Sequence, residues 1–371
     1  MKRRQFLSNL SAALAGAEFM AAQRTSRASL GVTRPSPWRT FEIVTTVDVA
    51  VPEGRTLLWL PVPAQRLGHY QRTLHTTCSA AGAQQAQLVA LPGDDVQVLC
   101  VEWSTPTAVQ QVTLTHRVMT RDRHVDLEGN AGGGQRDTAA NLKHYLRPTA
   151  LLPTDGIVKD TATRIVRGHR DELAKVRALY EWVVENTTRD PRTPGCGMGD
   201  VASMLKSGYL GGKCADINAL FVALTRAAQI PARDAYGIRI ADSRLGFSCL
   251  GRSDDVSKAQ HCRAEFYSAA HGWIPVDPAD VRKVMLEEPP PGRSLSDAKV
   301  QMARTLLFGA WEMNWLAYNH AHDVALPHAT SPAMPFLMYP SGETGAAPLD
   351  SLSPDRFRYR ITSHELTTEN S

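Results

Sequence analysis

Among its six cysteines the 371-residue sequence has no Cys-x-x-Cys pair. Structural zinc sites draw their thiolates from such pairs, so none is expected. No acidic loop carries the ligand spacing of a calcium site, and a calcium requirement is unsupported. The glycine-rich stretch EGNAGGGQRDTAAN (128–141) lacks the lysine-serine pair and following apolar helix of a phosphate loop, and is read as a linker. Beyond residue 28 no apolar run is long enough to span a bilayer, so no permanent membrane anchor is expected. Excess charge is also missing. The net charge is +4, and in residues 1–28 five bases (Lys2, Arg3, Arg4, Arg24, Arg27) oppose one acid, Glu18. The remainder is therefore near neutral, with no basic stripe to suit nucleic acid.

The first segment, MKRRQFLSNLSAALAGAEFMAAQRTSRAS, has a basic head and an alanine-leucine stretch broken by Glu18. It reads as an export signal over 1–28, with Ser26-Arg27-Ala28 as a small-x-small cleavage site. RRQFL is twin-arginine-like, although Lys2 stands where that motif has Ser or Thr. A periplasmic or otherwise exported bacterial protein is expected. Disulfides are permitted there, but if Cys214 stays free, at least one of the other five cysteines is unpaired as well.

Residues 29–127 read as a β domain. FEIVTTVDVAV, RTLLWLPVP, VQVLCVEW and VQQVTLTHRVMT are β-branched or alternating runs between polar turns, the pattern of a small antiparallel sandwich. From 142 to 285 the pattern becomes mixed. DELAKVRALYEWVVENTTRD places Leu173, Val176, Leu179, Tyr180, Val183 and Val184 on one helical face. Asp200 is read as the cap of a short helix. DAYGIRIA, CRAEFYSA and GWIPVDPA read as strands. Residues 286–371 form a C-terminal extension packed on the core, partly helical through AKVQMARTLLFGAWEMNWLAYNHAH and ending in short strands.

GGKCADINALFVALTRAAQIPAR (211–233) places a cysteine between a glycine pair and an apolar helix. The glycines are expected to give a tight turn. Leu220, Leu224 and Ala227 have helical spacing, and Pro231 ends the run. A thiol in the first helical turn feels the positive end of the helix dipole, which favours thiolate. Alone, the position equally suits a small buried core residue. A cysteine nucleophile also needs a base, and the base an orienting group. His261 opens one strand and Asp277 closes the next, with a turn at Ser268–Gly272 between them. His261 lies nine residues before Ala270 and Asp277 seven after it, so the two side chains can meet across a hairpin. Each has a plain alternative, as a sheet-end histidine or as a turn residue before proline.

Gly212-Lys213-Cys214-x-Asp216, then IPAR, then His261-x-x-x-Glu265, then GWIPVDPAD, resembles the transglutaminase-like superfamily of papain-type cysteine enzymes over residues 140–285. The usual alanine and tryptophan after the histidine are Cys262 and Arg263 here. The resemblance implies an α+β fold, with a cysteine-bearing helix packed on an antiparallel sheet. It implies Cys214 as nucleophile, His261 as base and Asp277 as its orienting carboxylate, with no cofactor and no metal. The backbone N–H of Cys214 is a candidate oxyanion donor, and the indoles of Trp182 and Trp273 are candidates for a second. Asp216 is read as a brace for the helix start, and Glu265 and Arg233 as a structural buried pair. The chemistry implied is an acyl-enzyme thioester, hydrolysing a peptide or isopeptide-like amide. The alternatives are protein-glutamine amine transfer and a catalytically silent binding module. The expected partner is a peptide or protein, including cell-wall peptide.

Other residues have plainer readings. Phe308, Trp311 and Trp315 at helical spacing suit core better than a substrate platform. His320 and Asp323, on one helical face, are too few ligands for a metal site. Cys196 in PGCGMG is read as a loop residue, with gating or a disulfide as alternatives.

Overall fold

The computed structural model describes residues 36–50, 52–92, 94, 96–107, 109–128, 136–352 and 357–367. The expected signal segment lies outside these, as does half of the glycine-rich linker, residues 129–135.

Two β-sheets precede the core in the chain. One is six-stranded and holds Arg39–Val49, Gln71–Ala80 and Gln111–Thr120; the other is five-stranded and holds Thr56–Val62, Gln85–Ala90 and Gln97–Trp103. The alternation FEIVTTVDV buries Phe41, Ile43, Val47 and Val49, and Val47 and Val49 meet Leu58, Leu60, Leu99 and Val101 from the other sheet. That is the expected sandwich. Both sheets are completed from the far end of the chain. Phe357–Leu366 pairs antiparallel with Arg39–Val49, and Ser341–Thr344 pairs with Thr56–Val62.

The core is a four-stranded antiparallel sheet in the order Gly272–Val276, Gln260–Ser268, Ala232–Arg239, Trp315–Asn319. Across it lies the helix Cys214–Ala227, every residue of which is buried. A helix buried on every side belongs at the centre of a packed unit. Helices Gly156–Val166, Glu172–Asn186 and Pro278–Glu287 pack around it. Asp200 caps its helix as expected, accepting from Ser203 N, and Asp171 caps the helix Glu172–Asn186, accepting from Ala174 N.

The helical expectation for 298–322 holds only to Leu306; Ala310–Trp311 and Trp315–Asn319 are strands. Phe308, Trp311 and Trp315 are core, but not along one helix face. Nor do His320 and Asp323 share a helix face. His320 Nδ1 bonds the Asp234 carbonyl at 2.8 Å, while the Asp323 carboxylate accepts Ala150 N at 3.1 Å.

Glu265 is fully buried opposite Arg233 in the sheet register, and its carboxylate accepts Arg233 Nε at 2.6 Å. A second guanidinium, from Arg123, bonds the same carboxylate. Burial alone would raise the carboxyl pKa; Arg123 and Arg233 outweigh it and hold it far below the usual range. A carboxyl depressed in this way stabilises the fold above its unfolded pKa of about 4.3, and that contribution is lost as pH falls below it. Glu265→Gln leaves two buried guanidiniums without their counter-ion. It is expected to cost about 3–5 kcal/mol in denaturant unfolding and to flatten the acid limb of the stability profile.

Candidate active site

The cysteine helix starts as the glycines dictate, though not by a tight turn. Gly211 and Gly212 form a short parallel strand with Thr188–Arg189, and neither has positive φ. Gly212 is needed for space: a Cβ there would lie 2.4 Å from Asp216 Oδ2. Gly197, at φ +92°, faces the same carboxylate, and a Cβ on it would lie 1.8 Å away. Into that gap Asp216 accepts the N–H groups of Lys213 (2.9 Å), Met198 (3.0 Å) and Gly199 (2.9 Å). It therefore braces the helix start, and it also pins the 196–199 loop to it. Ala215 N completes the seam by donating to the Cys196 carbonyl at 2.9 Å.

His261 and Asp277 meet. The imidazole Nε2 lies 2.7 Å from Asp277 Oδ2, with both groups buried. The register explains it. Ala264 faces Val276, so Asp277 falls one step on, opposite Arg263, and His261 shares a face with Arg263. Asp277 is also the N-cap of the following helix, its Oδ1 accepting Asp280 N at 3.0 Å. Asn218, one turn along the cysteine helix, donates to the same oxygen at 3.3 Å and to the Cys262 carbonyl at 2.8 Å. With Nε2 so engaged, Nδ1 is the ring nitrogen left for the thiol.

Several residues of the site had escaped sequence reasoning. Asp280 Oδ1 stands 3.3 Å from His261 Nε2 and 2.6 Å from Arg239 Nη2. Arg263 Nε approaches Asp277 Oδ2 at 3.7 Å. The motif DPAD hints at this arrangement, because an N-cap and its third following residue share one helical turn. Arg239 carries no such signal, whereas Arg263 and Cys262 are the two departures from the family pattern that follow the histidine. Cys196 and Cys262 bring two further buried thiols within hydrogen-bonding reach of Cys214. All six cysteines are free, so the permitted disulfides are not formed.

The charges balance as a cluster. The Cys214 thiol is held well below its ordinary range, chiefly by the adjoining thiol of Cys196, whose Sγ donates to the Gln260 carbonyl at 3.4 Å, and then by that of Cys262. Burial opposes both, and His261 adds to the depression. For His261, burial and Arg239 work against the charged ring, but Asp280 and Asp277 outweigh them and push it up to about 10. Burial also opposes the Asp280 carboxylate, yet Arg239 and His261 keep it ionised, while burial and the Asp280 charge push Asp277 up. Thiolate and carboxylates thus face an imidazolium and two guanidiniums in a nearly neutral buried set. The ligand atoms of His261, Asp277 and Asp280 lie within 4.8 Å of one another, but a cation there would compete with the Arg239 guanidinium.

Neither candidate indole belongs to the site. Trp273 Nε1 donates to Asp137 Oδ2 at 2.8 Å, and neither Trp273 nor Trp182 lines the cavity of about 1000 Å³ that opens over Cys214 and His261. The N–H of Cys214 sits at the first helical position, where no acceptor exists within the helix.

Cys196→Ala removes the strongest stabiliser of the Cys214 thiolate. Alkylation of Cys214 by iodoacetamide near pH ~6 should slow roughly tenfold, the worth of one charge-assisted hydrogen bond of about 1.5 kcal/mol. Cys78→Ala, at an exposed thiol far along the chain, should leave the rate unchanged.

The fold, with its cysteine-headed helix laid on an antiparallel sheet, defines the class, and residues 159–278 match the family model of the transglutaminase-like superfamily. The chain belongs to that superfamily. A Haemophilus influenzae protein of uncharacterised function is 35% identical over 345 residues, covering 88% of this chain and 91% of its own. A solved structure from Cytophaga hutchinsonii, provisionally named a cysteine protease, superposes with a TM-score of 0.58 at 16% identity. It covers 90% of this chain and 93% of that one, and is similar in fold. Among the described residues no helix is long and apolar enough to cross a membrane.

Proposed function

We propose that this chain is a cysteine-dependent amide hydrolase that works through an acyl-thioester on Cys214. The observation that supports this most directly is the buried file of Cys214, His261 and Asp277, with a thiol depressed below its ordinary range beside a histidine raised above its own. The thiolate attacks the amide carbon. The oxyanion that forms is met by the Cys214 N–H at the positive end of the helix. The C–N bond breaks, and the amine leaves with the proton held on His261. Water then attacks the thioester, giving its proton back to His261 and releasing the acid and the thiolate. Asp277 keeps the ring oriented and stabilises its charged form.

The substrate is a peptide or isopeptide-like amide, and the place of action is outside the cytoplasm, as the N-terminal segment suggests. The domain limits drawn from the sequence place this machinery in 142–285. The test is to incubate the protein with a peptide and peptidoglycan mixture and follow the products by mass spectrometry. Cleavage that adds one water per bond supports hydrolysis. Ammonia loss with crosslinked products would replace it with amine transfer, and no product at all would favour a silent binding module.

A further inference from the structure

The walls of the cavity over Cys214 carry more charge than the chain as a whole. Among the described residues that line it, seven are lysines or arginines (Arg189, Lys213, Arg239, Arg252, Lys258, Lys283 and Arg358) and none is aspartate or glutamate. A chain with 41 basic and 37 acidic residues does not produce such a wall by composition alone. Some of these charges are spent internally. Arg239 is paired with Asp280 and Arg358 with Asp48, and Arg189 and Lys283 divide the single carboxylate of Glu287. Others are not. Lys213 and Lys258 form no ion pair among the described residues, and Arg252 gives its Nε to the Asp255 carbonyl at 2.9 Å. Lys213 is the residue immediately before the thiol; Arg252 and Lys258 also line the cavity and are exposed.

Unpaired cations around a concave wall that holds no acid are complementary to carboxylates.

We infer that this cavity selects acyl donors bearing carboxylates close to the reacting amide, as in acidic peptides. The inference deepens the hydrolase reading and rests on it for the word donor, but the recognition itself can be tested without turnover. Lys213, next to the thiol in the chain, receives the group nearest the scissile bond, and Arg252 and Lys258 those farther along.

The experiment uses the full chain carrying Cys214→Ala, titrated by calorimetry with hexaglutamate, hexaglutamine and hexalysine peptides at about 0.05 M and about 0.3 M salt. Hexaglutamate should bind at least roughly tenfold more tightly than hexaglutamine, with hexalysine weakest, and the advantage should shrink in the higher salt. The double variant Arg252→Glu/Lys258→Glu, at two exposed positions, should erase that preference without moving the melting temperature. Equal binding of the three peptides, or none, overturns the inference. So does an acidic preference that the double variant leaves intact. Because this protein lacks the thiol, failure of the wild-type chain to cleave any amide sinks the hydrolase reading and leaves the binding result standing.

Discussion

Cys214→Ala is expected to lower turnover by about 10⁶, the scale seen when a nucleophile is deleted from a triad. Peptide binding should survive. The side chain is small, buried and close in volume to alanine, so the helix start keeps the brace supplied by Asp216 and its three N–H contacts. Stability should change little, because His261 can release its proton and so restore the charge balance once the thiolate is gone, and the Arg239–Asp280 pair stays in place. The loss should appear in kcat, with KM held. A variant that keeps a tenth or more of wild-type turnover would show that the sulfur does not carry the reaction, and attention would move to Cys196 and Cys262 beside it.

Asp277→Asn is expected to cost about 10⁴ in kcat. Asparagine preserves the shape and retains an oxygen for Asp280 N, so the helix that begins at Pro278 should still form. It cannot balance an imidazolium. In the wild-type chain Asp280 and Asp277 raise His261 to about 10, against burial and the repulsion of Arg239. With one carboxylate neutral, the ring pKa falls and the thiolate loses part of its counter-charge. The sign follows: alkylation of Cys214 at mildly acid pH, fast in the wild type, should slow in the variant and recover as pH rises. Circular dichroism and melting should report a folded protein. A variant with full turnover and an unchanged alkylation profile would reassign the orienting role to Asp280, whose Oδ1 is 3.3 Å from the same nitrogen.

Much of this centre was legible because its parts lie on locally patterned elements. A helix start after glycines, and a hairpin with His261 at one end and Asp277 at the other, can be counted along the chain. What was not legible depends on long-range register. Arg239 reaches Asp280 because Ala232–Arg239 pairs with Gln260–Ser268, and no local periodicity encodes that pairing. Cys196 arrives through Asp216, a carboxylate that binds two separate loops, and only the three-dimensional gap left by Gly197 and Gly212 makes room for it. The stretch from Phe308 to Asn319 misled for a different reason. It is buried throughout, so it offers no polar face against which a period can be read.

The sheet that begins with Arg39–Val49 receives a neighbouring strand from Phe357–Leu366, and Phe357, Arg358 and Tyr359 also form part of the wall facing the thiol. Synthesis therefore sets the order of events. A nascent chain that has already produced the cysteine, the histidine and the aspartate still lacks one side of its reaction chamber and one flank of its first sheet. Contacts spanning almost the whole polypeptide form late and slowly. An unfinished chain would thus have to wait for its last strand before gaining an enclosed reactive sulfur.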